Sequence, residues 1–317
     1  MKKRIISVLL ATAFALSVIG CGTKDTMEQD AYRQYGITCM ESGKYEDAFK
    51  AFQNALGESI GHIGEKELDI CFYKAKAQAL NGKTKDALAT YNAIIKYNKD
   101  ARAYYLRGDL YMDMGEEKKG RADFESAVQQ GKKNYEIYIG IYESLSRHEK
   151  KDEGQKYLSA AMEIKGDKPE DELYKGRISY LLGENKDAIS YLEKAKEHKQ
   201  MLASYYLGLA YDANGDSDKA KKCIAEYIKS GVATSYDLYE LGMQEMQDGN
   251  YKNALTYFNS GLELEKVPNK QNLMKSAIAA YEYSGDFDSA KKMMKEYLKA
   301  YPDDEEAKHE NTFLETR

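Results

Sequence analysis

The sequence predicts an all-α protein built from stacked helical hairpins, and three features of the chain support this prediction. A small residue recurs eight times at intervals of 32 to 39 residues. A glycine lies five residues before seven of these eight positions, where it suits a turn between two helices. The 317 residues include only three prolines, so few positions would interrupt a helix. Periods of this length are typical of proteins in which each repeat packs mainly against its neighbours.

Small residues mark the places where the two helices of each hairpin are expected to cross. In the second helix of each hairpin they are Ala48, Ala87, Gly120, Gly154, Ala188, Ala220, Ala254 and Ala290. Twelve residues earlier, six of the first helices carry Gly36, Ala75, Gly108, Gly176, Gly208 or Gly242. A glycine inside a helix costs about 1 kcal/mol relative to alanine, so its presence is best explained by crowding. An apolar residue four positions after the second-helix residue is expected to fill the space between the helices.

Each predicted turn carries a glycine that can end the first helix. These residues are Gly43, Gly82, Gly115, Gly183, Gly215, Gly249 and Gly285. Glycine adopts the left-handed conformation that ends many helices without the penalty that a Cβ atom brings. The fourth unit differs, because Glu149 occupies this position, and a lengthened turn is expected there.

The segments YYLRGDLYMDMGEEKKGRADFESA, YYLGLAYDANGDSDKAKKCIAEY and LYELGMQEMQDGNYKNALTYFNSG resemble the tetratricopeptide repeat. The resemblance extends over nearly the whole chain after the N-terminal segment, although no repeat has Trp at its first position. It implies an α-solenoid of about eight helix-turn-helix repeats in residues 31–302, wound as a right-handed superhelix. It also implies a concave face, lined by the first helix of every repeat, that binds protein or peptide partners.

The N-terminal segment MKKRIISVLLATAFALSVIGC is typical of a secretory signal, with three basic residues followed by an apolar run. Its ending, VIGC, resembles the bacterial lipobox. This resemblance implies that residues 1–20 are removed and that Cys21 carries the lipid anchor. The alternative is an ordinary signal peptide with an incidental cysteine. We expect residues 21–30 to form a short linker that holds the protein at the membrane, outside the cytoplasm.

The C-terminal residues 303–317 predict a polar capping helix that covers the last repeat. Asp303 and Asp304 precede it, and acidic residues are favoured at the start of a helix. Beyond Cys21 the chain contains Cys39, Cys71 and Cys223. Cys39 and Cys71 lie seven positions out of step in equivalent first helices, about 10 Å along the axis, so three free thiols are expected.

No group of residues predicts catalysis, a cofactor or a metal site. The segment GESIG, with Ser59, matches the nucleophile-elbow pattern, but a helical segment precedes it and no strand is predicted. The segment DANGDSDKAKKC alternates acids as a calcium loop does, but Cys223 stands where a bidentate Glu is required. The four histidines show no metal-ligand spacing. The formal net charge of −5, without a basic stripe, argues against nucleic acid as a partner.

The predicted concave face is rich in tyrosine and methionine toward the C-terminus. The residues expected to contact a partner are Tyr105, Tyr205, Tyr236, Tyr239, Met243 and Met246. Tyr and Met suit adaptable protein-binding surfaces. The alternative is that these tyrosines pack between neighbouring helices. Lys76 and Arg177 are bases at the same face, but no asparagines accompany them as a carboxylate clamp would require.

Taken together, these features predict a non-enzymatic, membrane-anchored scaffold lipoprotein. It would bind envelope or secreted proteins through the concave face of the solenoid. A second hypothesis is a glycan- or peptidoglycan-binding lipoprotein that uses the tyrosines as stacking platforms. The absence of Trp, which offers a larger aromatic platform, favours the protein-binding hypothesis.

Overall fold

The computed structural model describes residues 24–59, 63–166 and 168–317, and these ranges contain seventeen helices and no strand. The helices are α1 Lys24–Glu41, α2 Tyr45–Gly57, α3 Glu65–Leu80, α4 Thr84–Asn98, α5 Ala101–Asp113, α6 Glu117–Gln130, α7 Tyr135–Arg147, α8 Lys151–Met162, α9 Pro169–Leu182, α10 Asn185–Glu197, α11 Leu202–Ala213, α12 Ser217–Lys229, α13 Ser235–Gln247, α14 Tyr251–Leu262, α15 Lys270–Ser284, α16 Phe287–Ala300 and α17 Glu305–Leu314. The predicted signal peptide, residues 1–20, and Cys21 lie outside the described residues.

Consecutive helices pack as hairpins, from α1 with α2 to α15 with α16, and the all-α prediction is confirmed. The described chain forms two compact units. The first unit, residues 24–231, contains six hairpins. The second unit, residues 232–317, contains two hairpins and α17. The first helix begins earlier than the sequence predicts. It starts at Lys24, so most of residues 21–30, which were expected to form a linker, belong to α1.

The turns inside the hairpins adopt the left-handed conformation that the glycine spacing predicts. The seven turn glycines have φ between 70° and 85°. In the first turn the Gly43 N–H donates to the Met40 carbonyl and the Lys44 N–H to the Cys39 carbonyl, at 3.1 and 2.8 Å. In the fourth hairpin, Glu149 adopts φ 61° and supports the same two hydrogen bonds. The fourth turn therefore has the regular length and geometry, and the expectation of a longer turn is wrong. A non-glycine residue lies at the strained position.

The helices of a hairpin cross where the small residues lie. A Cβ atom added to Gly242 would lie 2.3 Å from Cε1 of Phe258, and one added to Gly208 would lie 2.4 Å from Cδ1 of Ile224. Both contacts are far shorter than van der Waals distance, so only glycine allows this approach. The nine residues expected to pack within the repeats are all buried: Ala48, Ala87, Gly108, Ala188, Gly208, Ala220, Gly242, Ala254 and Ala290.

The fourth hairpin reverses the arrangement of large and small residues. Its first helix carries Tyr142 where six other hairpins have a small residue, and its second helix carries Gly154. A Cβ atom on Gly154 would lie 3.1 Å from the Cα atom of Tyr142. The volume added on one helix is therefore offset by its loss on the other, and the close crossing is kept.

The last helix, α17, covers the apolar end of the final hairpin. Ala307 and Leu314 are buried in a cluster with Met294 and Tyr297 of α16. Asp304 caps α17 by accepting a hydrogen bond from the Ala307 N–H at 3.1 Å. Its carboxylate also accepts from the Tyr297 hydroxyl at 2.5 Å and from Lys275 Nζ at 2.8 Å. These bonds hold the pKa of Asp304 well below its usual range, the Lys275 bond contributing most.

Candidate partner-binding face

Within each unit, direct contacts between hairpins join some first helices to the first helix of the next hairpin. In residues 24–231, α1 contacts α3, α5 contacts α7 and α9 contacts α11. In residues 232–317, α13 contacts α15. In these ranges no second helix makes a comparably extensive contact with the next second helix, and long side chains bridge them instead. Arg121 on α6, for example, reaches Glu153 on α8, with 2.8 Å between Nε and Oε1. The side formed by the first helices is here called the inner face.

Ion pairs between neighbouring first helices line the inner face of the first unit. Arg33 Nε donates to Asp69 Oδ2 at 2.8 Å and joins α1 to α3. Arg147 on α7 pairs with Asp109 on α5. Further along, Arg177 on α9 donates to Glu143 and Glu136 of α7, at 3.1 and 3.4 Å. These charges largely neutralise one another, so they fix the spacing of the helices more than they attract a ligand.

Lys76 on α3 is a different case. No acidic side chain pairs with it in the part of the chain that the structure describes. Desolvation lowers the pKa of its ammonium group, although the side chain remains exposed to solvent. Near Lys76 in sequence, Phe72 of α3 makes a cation–π contact with Arg102 of α5, whose guanidinium carbon lies 4.0 Å from the ring centre. Lys76 therefore offers an unpaired positive charge on the inner face.

Two carboxyl groups near the middle of this face, those of Glu143 and Asp113, have pKa values above their ordinary values. Burial raises the pKa of Glu143, although Arg177 opposes the shift. Desolvation raises the pKa of Asp113, with the nearby Asp109 carboxylate as the second cause. His148 Nε2 lies 3.1 Å from Asp113 Oδ1. The protein environment thus disfavours additional negative charge on this part of the inner face.

Two of the predicted partner-contacting tyrosines are buried, which favours the alternative that they pack between neighbouring helices. Tyr105 is only 4% exposed, because its ring fills the space over Gly140 of the next first helix. Tyr205 is 9% exposed and packs between Tyr206 and Tyr227, with ring centres 5.1 and 5.3 Å away. Both rings pack between helices and do not offer a face to a partner.

The other four predicted residues lie together on one side of α13 and are half-buried. We call Tyr236, Tyr239, Met243 and Met246 the Tyr–Met patch. Tyr239, Met243 and Met246 pack against a core cluster that includes Phe258, and the rings of Tyr239 and Phe258 lie 6.2 Å apart. The core supports these side chains from below while part of their surface stays accessible. That they contact a partner stays a prediction.

The remaining sequence motifs have structural explanations in the described residues. Ser59 lies just after α2, in a region without strands, so the geometry of a nucleophile elbow is not formed there. The three cysteines within the described residues are free, with Cys39 and Cys223 buried and Cys71 partly buried, as predicted. Burial raises the pKa of the Cys71 and Cys223 thiols.

The described residues contain no group of three or more His, Cys, Asp or Glu side chains placed to hold a metal ion. None of the described helices is both long enough and apolar enough to span a bilayer.

The repeated hairpins define a helical-repeat protein. Tetratricopeptide-repeat models match residues 74–135, 202–230 and 271–304. The matched segments and the hairpin geometry together identify the chain as a tetratricopeptide repeat protein. Tetratricopeptide repeats are typical of protein-interaction scaffolds, which is the broad class of function that the family indicates.

Several solved structures are similar to this chain at low identity. A tetratricopeptide repeat protein from Parabacteroides merdae shares 12% identity, covering 80% of this chain and 99% of its own, with a TM-score of 0.47. PilW, a type IV pilus biogenesis factor, shares 18% identity, covering 66% of this chain and 97% of its own, with a TM-score of 0.44. A chain of the APC/C Cut9–Hcn1 hetero-tetramer shares 16% identity, covering 90% of this chain and 55% of its own, with a TM-score of 0.44. A comparison with curated protein sequences gives no match.

Proposed function

We propose that this protein is a non-enzymatic scaffold, anchored by a lipid on Cys21 outside the cytoplasm, that binds envelope or secreted proteins through its inner face. The repeats support the scaffold part of the proposal. The lipobox-like VIGC after a basic and apolar N-terminal segment supports the anchor. Two or more acyl chains hold a protein stably at a bilayer, since each buried CH₂ contributes about 0.8 kcal/mol.

The observation that carries the binding proposal is the Tyr–Met patch. Tyr239, Met243 and Met246 rest on a packed core, and all four side chains of the patch remain partly accessible. A supported aromatic or thioether group loses little side-chain entropy on binding, and methionine adapts its shape to the partner. We assign the patch to an extended segment of a partner protein that inserts an apolar side chain between Tyr239 and Met243. Each truncation at such an anchor is expected to cost about 1–2 kcal/mol of binding free energy, roughly a tenfold loss of affinity.

The experiment places a photo-crosslinking amino acid at position 239 in living cells, with position 97 as the control. Tyr97 is 55% exposed and lies on α4, a second helix away from the inner face. We expect a discrete crosslinked partner from position 239 and none from position 97. Adding Met243→Ala should weaken that crosslink, because it removes a neighbouring part of the anchor. Equal crosslinking from both positions, or no effect of Met243→Ala, would refute the proposed binding surface.

A further inference from the structure

A stacked pair of tyrosines lies at the turn edge of the second unit. Tyr251, at the start of α14, and Tyr283, near the end of α15, have ring centres 5.4 Å apart and planes inclined by 19°. Tyr283 is 67% exposed, the second most exposed of the large hydrophobic residues described. Each ring uses one face for the stack, so the exposed ring keeps a flat carbon surface in contact with solvent.

An open cavity of about 440 Å³ adjoins this pair. It is lined by Gly249, Asn250, Tyr251, Lys252, Asn253, Tyr283 and Ser284. Apart from the hydrocarbon stem of Lys252, the carbon surface of the lining is provided mainly by the two aromatic rings. Gly249 has φ 75°, and an added Cβ atom would meet nothing within 4 Å, so the turn leaves the cavity open.

Short polar groups surround the aromatic surface. The Asn250 side chain makes no capping hydrogen bond to α14. Asn253 uses its Nδ2 to donate to Glu245 Oε2 at 3.1 Å, which leaves its amide oxygen as an acceptor. Ser284 donates its hydroxyl proton to the Tyr281 carbonyl at 2.8 Å, so its oxygen can also accept. The cavity therefore combines one flat aromatic platform with several donors and acceptors at its rim.

We propose that this cavity binds a hexopyranose ring of a glycan. One face of such a ring presents C–H groups, which are attracted to the negative face of an aromatic ring. Its edge carries hydroxyl groups that match the amide and hydroxyl groups of the rim. A peptide fits less well, because a protein anchor side chain needs an enclosed apolar pocket and the lining provides none. This inference is independent of the proposed protein-binding face.

The test measures binding of three named probes, the N-acetylglucosamine trimer, maltotriose and cellotriose, to the purified protein by titration calorimetry. We expect saturable binding of at least one of them. Tyr283→Ala should weaken it by about tenfold, because the platform is lost. Tyr35→Ala is the matched control, since Tyr35 is 57% exposed but lies on α1 of the other unit, and it should leave binding unchanged. Circular dichroism checks that each variant remains helical.

A fluorescence experiment locates the site. The protein contains no tryptophan, so Tyr283→Trp keeps an aromatic platform and adds a single reporter. Saturation of the reporter signal at the affinity measured by calorimetry supports the proposal. Absence of binding by all three probes, or binding that Tyr283→Ala leaves unchanged, overturns it.

Discussion

Glu149 has a left-handed backbone conformation, and the substitution Glu149→Gly therefore tests the hairpin geometry directly. Its φ of 61° costs an L-residue about 1–2 kcal/mol, and glycine avoids this cost. Glycine also increases the entropy of the unfolded chain, which costs about 0.4–1 kcal/mol. The side chain of Glu149 is exposed, and none of the described ion pairs includes it. The net expectation is a stabilisation of about 0.5–1 kcal/mol.

The assay is urea denaturation followed by circular dichroism, together with hydrogen exchange at the turn between α7 and α8. Glu149→Ala is the matched control. It removes the charge but keeps Cβ, so it should have little effect. The reciprocal variant Gly183→Glu, at φ 82° with nothing within 4 Å of an added Cβ, should destabilise by a similar amount. If Glu149→Ala stabilises as much as Glu149→Gly, the charge and not the backbone is responsible, and the reasoning is refuted.

Three further predictions concern packing, the C-terminal cap and the anchor. Gly242→Ala should destabilise by about 1–3 kcal/mol, because the new methyl group overlaps the Phe258 ring, and urea denaturation measures this. Preserved stability would contradict the close crossing. Asp304→Asn should loosen α17, with faster hydrogen exchange there, since the bond to Lys275 loses its charge. Because the pKa of Asp304 is depressed in the folded state, its stabilisation is complete above its ordinary pKa. It is lost as pH falls through the folded value, so wild type and variant should converge in acid and differ near neutrality. Cys21→Ser should abolish incorporation of labelled palmitate and release the protein from membranes. Continued labelling would refute the anchor.

Features that depend on one residue's backbone or volume could be predicted from the sequence. The turns favour glycine because their φ angles are positive. Position 208 requires glycine because a Cβ atom there would lie only 2.4 Å from Ile224. These requirements recur at the same place in most repeats, so an alignment of the chain with itself reveals them. Glu149 shows the limit of this reasoning, because the fourth turn keeps its geometry without glycine.

The direction of individual side chains could not be predicted from repeat position alone. Tyr105 occupies a position expected on the inner face, but Gly140 in the next hairpin opens a space that its ring fills. The stacked tyrosines at positions 251 and 283 were missed for a related reason. They lie 32 residues apart, at different places in their own repeats, so comparison of equivalent positions does not bring them together.

A photo-crosslinking scan through every residue of α13 tests the central claim, that a protein partner binds the inner face, most directly. The scan substitutes each position from Ser235 to Gln247 in turn and measures the yield of partner adduct in living cells. The account predicts yields that rise and fall with the helical period of 3.6 residues and peak at Tyr236, Tyr239, Met243 and Met246. Yields that are even along the helix, or that peak on the side of Gln244, would contradict it.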